Sequence, residues 1–150
     1  MSTIFDESSL VQFLDRIHKL DMNLHPKWGK MNPYQMGKHC RLSDGILLGH
    51  EKFNPLFIGK LFGPKILKRI TKDDAPLKRN QSTHPKLKIK ETGDFDAERA
   101  IWVALLQEYS LKSPSDYKNF IHPFFGKMNY TDIGVFAYKH IDHHLNQFNC

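Results

Sequence analysis

The sequence predicts an all-α protein: a four-helix bundle of two helical hairpins joined by a long crossover that contains short helices. Three observations predict this fold class. Four segments carry apolar residues at helical spacing, and no run of alternating polar and apolar residues is long enough for a buried strand. The string HPKWGKMN at 25–32 returns as HPFFGKMN at 122–129. Each copy stands between two predicted helices, so each half of the chain predicts one hairpin.

The first half contains two predicted helices, at 6–20 and 32–50. Apolar residues recur every three or four positions through the first of them. The second begins NPYQ, which favours Asn32 as N-cap, Pro33 in the first turn and Gln35 closing a capping box. Both segments are therefore expected to be amphipathic helices.

The second half repeats the arrangement with helices at 94–110 and from Asn129 to Gln147. The third helix begins with aspartates, which are favourable near the positive end of a helix. The fourth begins NYTD, with Asn129 as cap and Asp132 three places on. Its outward face is expected to include Lys139 and Asp142.

About forty residues of crossover separate the two halves. The stretch LFIGKLFGPKILKRITK at 56–72 predicts one or two short helices, interrupted at Gly63 and Pro64. A helix lying on a membrane surface is the alternative, which the same interruption disfavours. The stretch THPKLKIK at 83–90 is expected to be irregular or briefly extended. The lysines of 56–72 are expected to point outward, and the residues expected to pack on the bundle are Ile58, Leu61, Phe62, Ile66 and Ile70.

Length and composition indicate one packed domain, 1–150. The chain is 40% hydrophobic, and no apolar run approaches the roughly 20 residues that span a bilayer. The polar N-terminus MSTIFDESS lacks the pattern of a signal peptide. We therefore expect a cytoplasmic protein without a membrane partner, in which Cys40 and Cys150 form no disulfide.

The net charge of +6 is a local feature of the crossover. Residues 52–90 hold eleven of the 22 Lys and Arg against only Asp73 and Asp74. A basic stripe can attract phosphates. Because no recognition motif accompanies it, a solvated face is the preferred interpretation, and no nucleic-acid partner is expected.

The repeated string predicts a turn followed by a helix N-cap. Its aromatic residue, Trp28 or Phe125, is expected to tuck under the helix end, and the glycine after it permits a turn with positive φ. The following Met and Asn would provide a hydrophobic staple and a cap. We expect His25 and His122 to make structural hydrogen bonds within these loops, rather than to bind metal.

The last helix places two histidines on its inward face. His140 and His144 are spaced i, i+4 in HIDHH, amid apolar residues at the same helical angle. His143 lies on the shoulder between the inward and outward faces. In the second helix His39 sits at the middle of an apolar stripe, whereas His50 is three turns further along.

These three inward histidines predict a candidate metal site between two facing helices. Three neutral imidazoles with open positions suit Zn, Ni, Fe or Mn, and such an ion would lower the pKa of a bound water or thiol. The alternative is a hydrogen-bonded core without metal. Spacing alone leaves both interpretations open.

The paired motifs resemble the DinB-like superfamily, and within it a branch with the signature HPxFG followed by HxxHHxxQF. The residues that carry the resemblance are HPFFGKMN and HIDHHLNQF, with WGKMNPYQMGKHC and GKLFGPKILKR earlier in the chain. The resemblance implies a four-helix bundle, a homodimer and a divalent metal, Zn or Ni before Fe or Mn. It places the metal on His39, His140 and His144.

The resemblance also suggests a function. Members of the superfamily include bacillithiol transferases and mycothiol-dependent isomerases, which implies a metal-dependent transferase that uses a low-molecular-weight thiol and a small-molecule substrate, or a relative resembling a hydrolase. From their helical angles, His143 is a candidate to support the metal ligands from outside or to carry a proton, and Gln147 points near the same site. The preferred interpretation of His143 is a surface polar contact, and packing at the open end is the alternative for Gln147. The alternative is a non-catalytic metal-binding or dimerising bundle.

Overall fold

Five α-helices form most of the computed structural model, which describes residues 1–150. The helices are α1 Glu7–His18, α2 Pro33–Leu48, α3 Phe57–Ile70, α4 Phe95–Gln107 and α5 Tyr130–Gln147. The connections contain 3₁₀ turns at Pro85–Leu87, Glu108–Leu111 and Pro114–Tyr117, and a short antiparallel pair, β1 Ile121–His122 and β2 Gly126–Lys127. None of the helices has both the length and the apolar character needed to cross a membrane.

The two repeated strings start α2 and α5 by the same capping geometry. The Asn32 side chain accepts a hydrogen bond from the Gln35 amide at 2.9 Å, and the Gln35 side chain accepts one from the Asn32 amide at 3.0 Å. Asn129 and Asp132 form the equivalent pair at 2.9 and 3.1 Å. The predicted capping boxes are confirmed, and they satisfy amide donors that the first turn leaves free.

The predicted all-α bundle is confirmed, with packing contacts that run mainly between the two halves of the chain. α2 packs against α4 and α5, and α1 packs against the same two helices. The two helices of each predicted hairpin are therefore not each other's main packing partners. In each half of the chain, the segment that connects the two helices includes the repeated string. This segment is long enough to lead the chain to the opposite side of the bundle.

A buried carboxylate links α2 to α4 inside the core of 26 apolar residues. Asp44 accepts hydrogen bonds from Trp102 Nε1 and from the Tyr109 hydroxyl, both at 2.9 Å. Burial raises the pKa of Asp44 to about 7, and the two donated hydrogen bonds only partly oppose that effect. Asp44 thus fixes how α2 sits against α4.

The crossover differs from its prediction. α3 runs without interruption through Gly63 and Pro64, whereas the sequence predicted a break there. Ile66 and Ile70 are partly buried as expected, but Ile58, Leu61 and Phe62 are exposed. The predicted irregular stretch 83–90 contains the 3₁₀ turn Pro85–Leu87.

Glycines explain the orientation of α3. A Cβ added to Gly59 or Gly63 would collide with the carbonyl oxygen of Phe124, so these residues let the helix lie directly on that loop. The larger apolar side chains at the start of the helix then face away from the bundle. The prediction was wrong here because the contact uses the smallest residues of α3 rather than its largest.

Lys139 was expected on the outward face of α5, and the structure buries it. Its ammonium group donates hydrogen bonds to the carbonyl oxygens of Ile70 and Ala75, at 2.7 and 2.9 Å, and to that of Asp73. The crossover folds over this side of α5, which helical periodicity within α5 could not show. Lys139 therefore fastens the end of α3 to the bundle.

Candidate metal centre

Helices α2 and α5 bring His39, His140 and His144 together. One ring nitrogen from each lies within 4.8 Å of the others. The ring centroids are 5.0 Å apart for His39 and His140, and 4.7 Å apart for each of the other two pairs. The inward orientation inferred from the helical spacing is present, and the three side chains could hold a metal ion.

The crossover fixes the ring of His39. Its Nδ1 lies 2.9 Å from the carbonyl oxygen of Leu87. Because a carbonyl can only accept, Nδ1 carries the proton and Nε2 keeps its lone pair. Sequence reasoning missed Leu87, since nothing in THPKLKIK indicates that its backbone approaches α2.

The first repeated string fixes the ring of His144 through Gln147. His144 Nδ1 lies 2.9 Å from Gln147 Oε1, and Gln147 Nε2 donates to the carbonyl oxygen of Trp28 at 2.7 Å. The second contact orients the amide, so its oxygen faces His144. Nδ1 of His144 therefore carries the proton, and its Nε2 lone pair is free to bind a cation.

His140 completes the cluster without such a support. Its Nε2 lies 3.1 Å from His39 Nε2, and its Nδ1 is buried without a hydrogen-bond partner. The ring of Phe136 stacks on it at a centroid distance of 5.5 Å. Since His39 Nε2 is unprotonated, either His140 donates to it or a cation lies between the two nitrogens.

Burial keeps the three imidazoles neutral. It is the largest cause that lowers the pKa of His39 below the ordinary 6.5, and it lowers the pKa of His140 and His144 much further. The neighbouring imidazoles lower these pKa values too, because positive charges so close would repel. Neutral imidazole is the form that binds metal.

The donor set fits a divalent transition metal. Three neutral nitrogens suit Zn, Ni, Fe or Mn rather than Ca or Mg, which prefer oxygen ligands. Two nitrogens bound to one Zn²⁺ lie about 3.4 Å apart, close to the 3.1 Å between His39 and His140. The adjacent thiol of Cys40 is buried and directed toward the sulfur of Met36 at 3.7 Å, and no disulfide forms.

The other predicted histidines lie apart from the cluster. His122 is buried, and its Nδ1 accepts hydrogen bonds from the amides of Phe124 and Phe125 at 3.1 and 3.2 Å, as expected for a structural role. Burial lowers its pKa to about 4. His25 is exposed, and the structure gives it no hydrogen bond, so that expectation was wrong for the first copy, whose loop is more open.

His143 stands between the cluster and a surface cavity. Its ring packs on His144 at 5.1 Å and on Trp28 at 5.3 Å, and burial lowers its pKa below the ordinary 6.5. The cavity beside it measures about 510 Å³. Its lining includes the cationic residues Lys27, Arg79 and Lys139. It also includes the carboxylates of Asp74 and Asp142, and none of the three clustered histidines lines it.

Comparison with known proteins identifies a family. A family model described as the DinB superfamily matches residues 5–148, nearly the whole chain. No curated protein and no solved structure matches the chain. The family is consistent with a metal-binding helical protein, as the three grouped histidines are.

Proposed function

Because the chain belongs to the DinB superfamily, we propose that it is a metal-dependent enzyme that transfers a low-molecular-weight thiol to an electrophilic small molecule. One observation carries the proposal. Three neutral imidazoles converge, and hydrogen bonds on the far side of two rings leave their Nε2 lone pairs free. A core stabilised only by hydrogen bonds would leave the Nε2 of His144 and the Nδ1 of His140 without partners.

His39, His140 and His144 would hold the ion, with Zn²⁺ or Ni²⁺ preferred over Fe²⁺ or Mn²⁺. When bound, the ion supplies Lewis acidity that lowers the pKa of a thiol or water beside it. Since all three ligands are neutral, they leave its double positive charge undiminished. A reaction resembling that of a hydrolase, with water in place of the thiol, remains within the same proposal.

The residues around the ligands hold them in position. The Leu87 carbonyl accepts from His39, and Gln147 accepts from His144. Such partners fix the tautomer and the ring orientation of a ligand. Phe136 covers the face of His140 and excludes water from that side.

The cavity next to His143 is the proposed substrate site. Lys27 and Arg79 would bind an anionic group of the substrate, and the exposed part of the Trp28 ring would pack against its apolar part. Burial lowers the pKa of His143 and so favours its neutral ring, and we propose that this ring takes the proton that the thiol loses. This residue connects the cavity to the cluster.

A turnover assay tests this proposal. The metal-loaded protein is incubated with each of several low-molecular-weight thiols and an electrophilic acceptor, and loss of free thiol is followed. We expect turnover by the wild type and by His25→Ala, whose side chain is exposed and makes no hydrogen bond, and none by His140→Ala. Metal-loaded protein without turnover for any thiol, or equal turnover by His140→Ala, would contradict it.

A structural metal site in a non-catalytic or dimerising bundle is the second candidate. It is favoured by the burial of the cluster, since His39 and His144 are under a tenth exposed and no clustered histidine lines the large cavity. A structural site is closed and contributes to folding. Metal that raises the unfolding temperature but supports no turnover would favour it, and sedimentation would test the homodimer that we also propose.

A further inference from the structure

Exposed apolar side chains are concentrated on α3. Of the ten large hydrophobic residues that face solvent, four belong to this one helix of 14 residues. They are Phe57, Ile58, Leu61 and Phe62, with exposed fractions of 83, 58, 61 and 47%. We call this set the α3 apolar surface. A contiguous group of this kind on a protein surface indicates a binding role.

The orientation of the first half of α3 is the reverse of that of an ordinary surface helix. Such a helix turns its large apolar residues to the core and its polar ones to water. Here Gly59 and Gly63 make the closest contact with the loop at Phe124, and the α3 apolar surface faces water. Because a larger residue at either glycine would collide with that backbone, the helix cannot approach as closely in another rotation.

Positive charge accompanies the α3 apolar surface. The helix contains four cationic residues, no acidic residue, and no salt bridge that involves any of the four. All four side chains are exposed: Lys60, Lys65, Lys68 and Arg69. The N-terminal half of the helix thus exposes the α3 apolar surface together with Lys60, and the C-terminal half exposes the other three cations.

We propose that α3 docks the protein onto a lipid bilayer that carries anionic headgroups. The helix would lie in the plane of the interface, with Phe57 and Leu61 reaching the acyl boundary and the cations pairing with the headgroups. The alternative of a membrane-surface helix was disfavoured by an expected break at Gly63 and Pro64, and α3 has no such break. Docking of this kind is peripheral and needs no spanning helix.

Charge favours this partner over the other candidates. In a symmetric dimer the same surface meets itself, and the second α3 has no acidic residue that could pair with the four cations of the first. A nucleic acid would satisfy the cations and leave the α3 apolar surface in water. An anionic bilayer matches both halves of the helix.

Co-sedimentation with vesicles tests the proposal on the full chain. One set of vesicles contains phosphatidylcholine alone, and the other is about a three-to-one mixture with phosphatidylserine. We expect binding to the mixed vesicles, weakened by salt, and little binding to phosphatidylcholine. Binding to neither set, or equal binding to both, would overturn the proposal.

Two pairs of variants separate the contributions of charge and apolar contact. Changing Lys60, Lys65 and Lys68 to Gln should weaken binding about a hundredfold, since each cation near an anionic surface contributes roughly fivefold. The control with the same change in net charge replaces the exposed residues Lys19, Lys30 and Lys118 by Gln. This control variant should bind the mixed vesicles nearly as tightly as the wild type does. A loss of binding equal to that of the α3 variant would overturn the proposal.

The second pair of variants tests the apolar contact. The test variant combines Phe57→Ser with Leu61→Ser, and it should bind the mixed vesicles about tenfold more weakly or worse. Its control is Ile101→Ser with Leu111→Ser, because both residues are exposed and lie outside α3. Sedimentation without lipid gives a further test. A dimer that Phe57→Ser and Leu61→Ser abolish would show that a second copy covers this surface, and would overturn the proposal.

Discussion

The two copies of the repeated string share a glycine turn and a helix cap but have different neighbours. Gly29 and Gly126 adopt φ of 78° and 76°, and a capping box follows each. The first copy contacts the end of α5 through polar groups, since the Lys27 amide donates to the Gln147 carbonyl at 2.8 Å. The second packs through aromatic rings, with Phe125 on Phe136 at 4.9 Å.

The difference shows how the repeated string supports the histidine cluster from two sides. The first copy reaches His144 by hydrogen bonds through Gln147. The second reaches His140 by ring contacts, because Phe136 lies between Phe125 and that histidine. The shared glycine and asparagine set the turn and the cap. The first copy reaches α5 through backbone groups of Lys27 and Trp28, whereas the second uses the ring of Phe125.

The largest difference between the two copies is expected in stability, when the aromatic residue of each copy, Trp28 or Phe125, is replaced by Ala. Phe125 is buried, so Phe125→Ala should lower the free energy of unfolding by about 3–5 kcal/mol. Trp28 is half-buried, with Arg79 stacked over it at 4.1 Å, so Trp28→Ala should cost only about 1–2 kcal/mol. Urea denaturation measures both values. Similar losses would mean that the two loops are equally part of the core.

The polar contact of the first copy should matter for metal binding. Gln147→Ala removes the acceptor of His144 Nδ1, so metal affinity should fall by about 10–100-fold. Gln107→Ala is the matched control, because Gln107 is an exposed glutamine at the end of α4. Competition with a chromogenic chelator measures the affinities. An unchanged affinity in Gln147→Ala would remove Gln147 from the account.

Gly29 and Gly126 occupy equivalent positions in the two copies, so replacing each by Ala gives a matched pair of variants. Gly29→Ala and Gly126→Ala should each lower the free energy of unfolding by about 1–2 kcal/mol, because both positions have positive φ. Only Gly29→Ala should also weaken metal binding, since its Cβ would lie 2.9 Å from Gln147 Nε2. Thermal unfolding and chelator competition report the two effects. Equal affinities in the two variants would contradict the link between the first copy and His144.

The caps should show the smallest effect and no difference between copies. Asn32→Ala and Asn129→Ala each remove one side-chain acceptor from a helix start, which costs about 1 kcal/mol of unfolding free energy. Urea denaturation should give values that agree within error. A much larger loss for one of them would show that its asparagine does more than cap.

Local periodicity was sufficient to predict the parts of the site that lie within single helices. The spacing of His140 and His144, and the apolar stripe around His39, placed all three on inward faces. The capping residues were equally local. Such features depend on the 3.6-residue repeat and on the first turn, both of which the chain shows directly.

The features that the sequence did not predict depend on where the crossover lies. Lys139 sits on the polar side of its helix, and only the fold brings the carbonyl of Ala75 to it. The same holds for the Leu87 carbonyl that contacts His39. Backbone groups are identical in every residue, so no side-chain pattern marks those that will support a site.

Metal content of the purified protein tests most directly the central claim that His39, His140 and His144 hold one divalent ion. The protein is prepared without an affinity tag or chelator, and its metals are measured by elemental analysis. We expect one transition-metal ion per chain in the wild type and in His25→Ala, and none in His140→Ala. A wild type that takes up no stoichiometric metal even when Zn²⁺ or Ni²⁺ is supplied, or a His140→Ala variant that holds as much as the wild type, would contradict the claim.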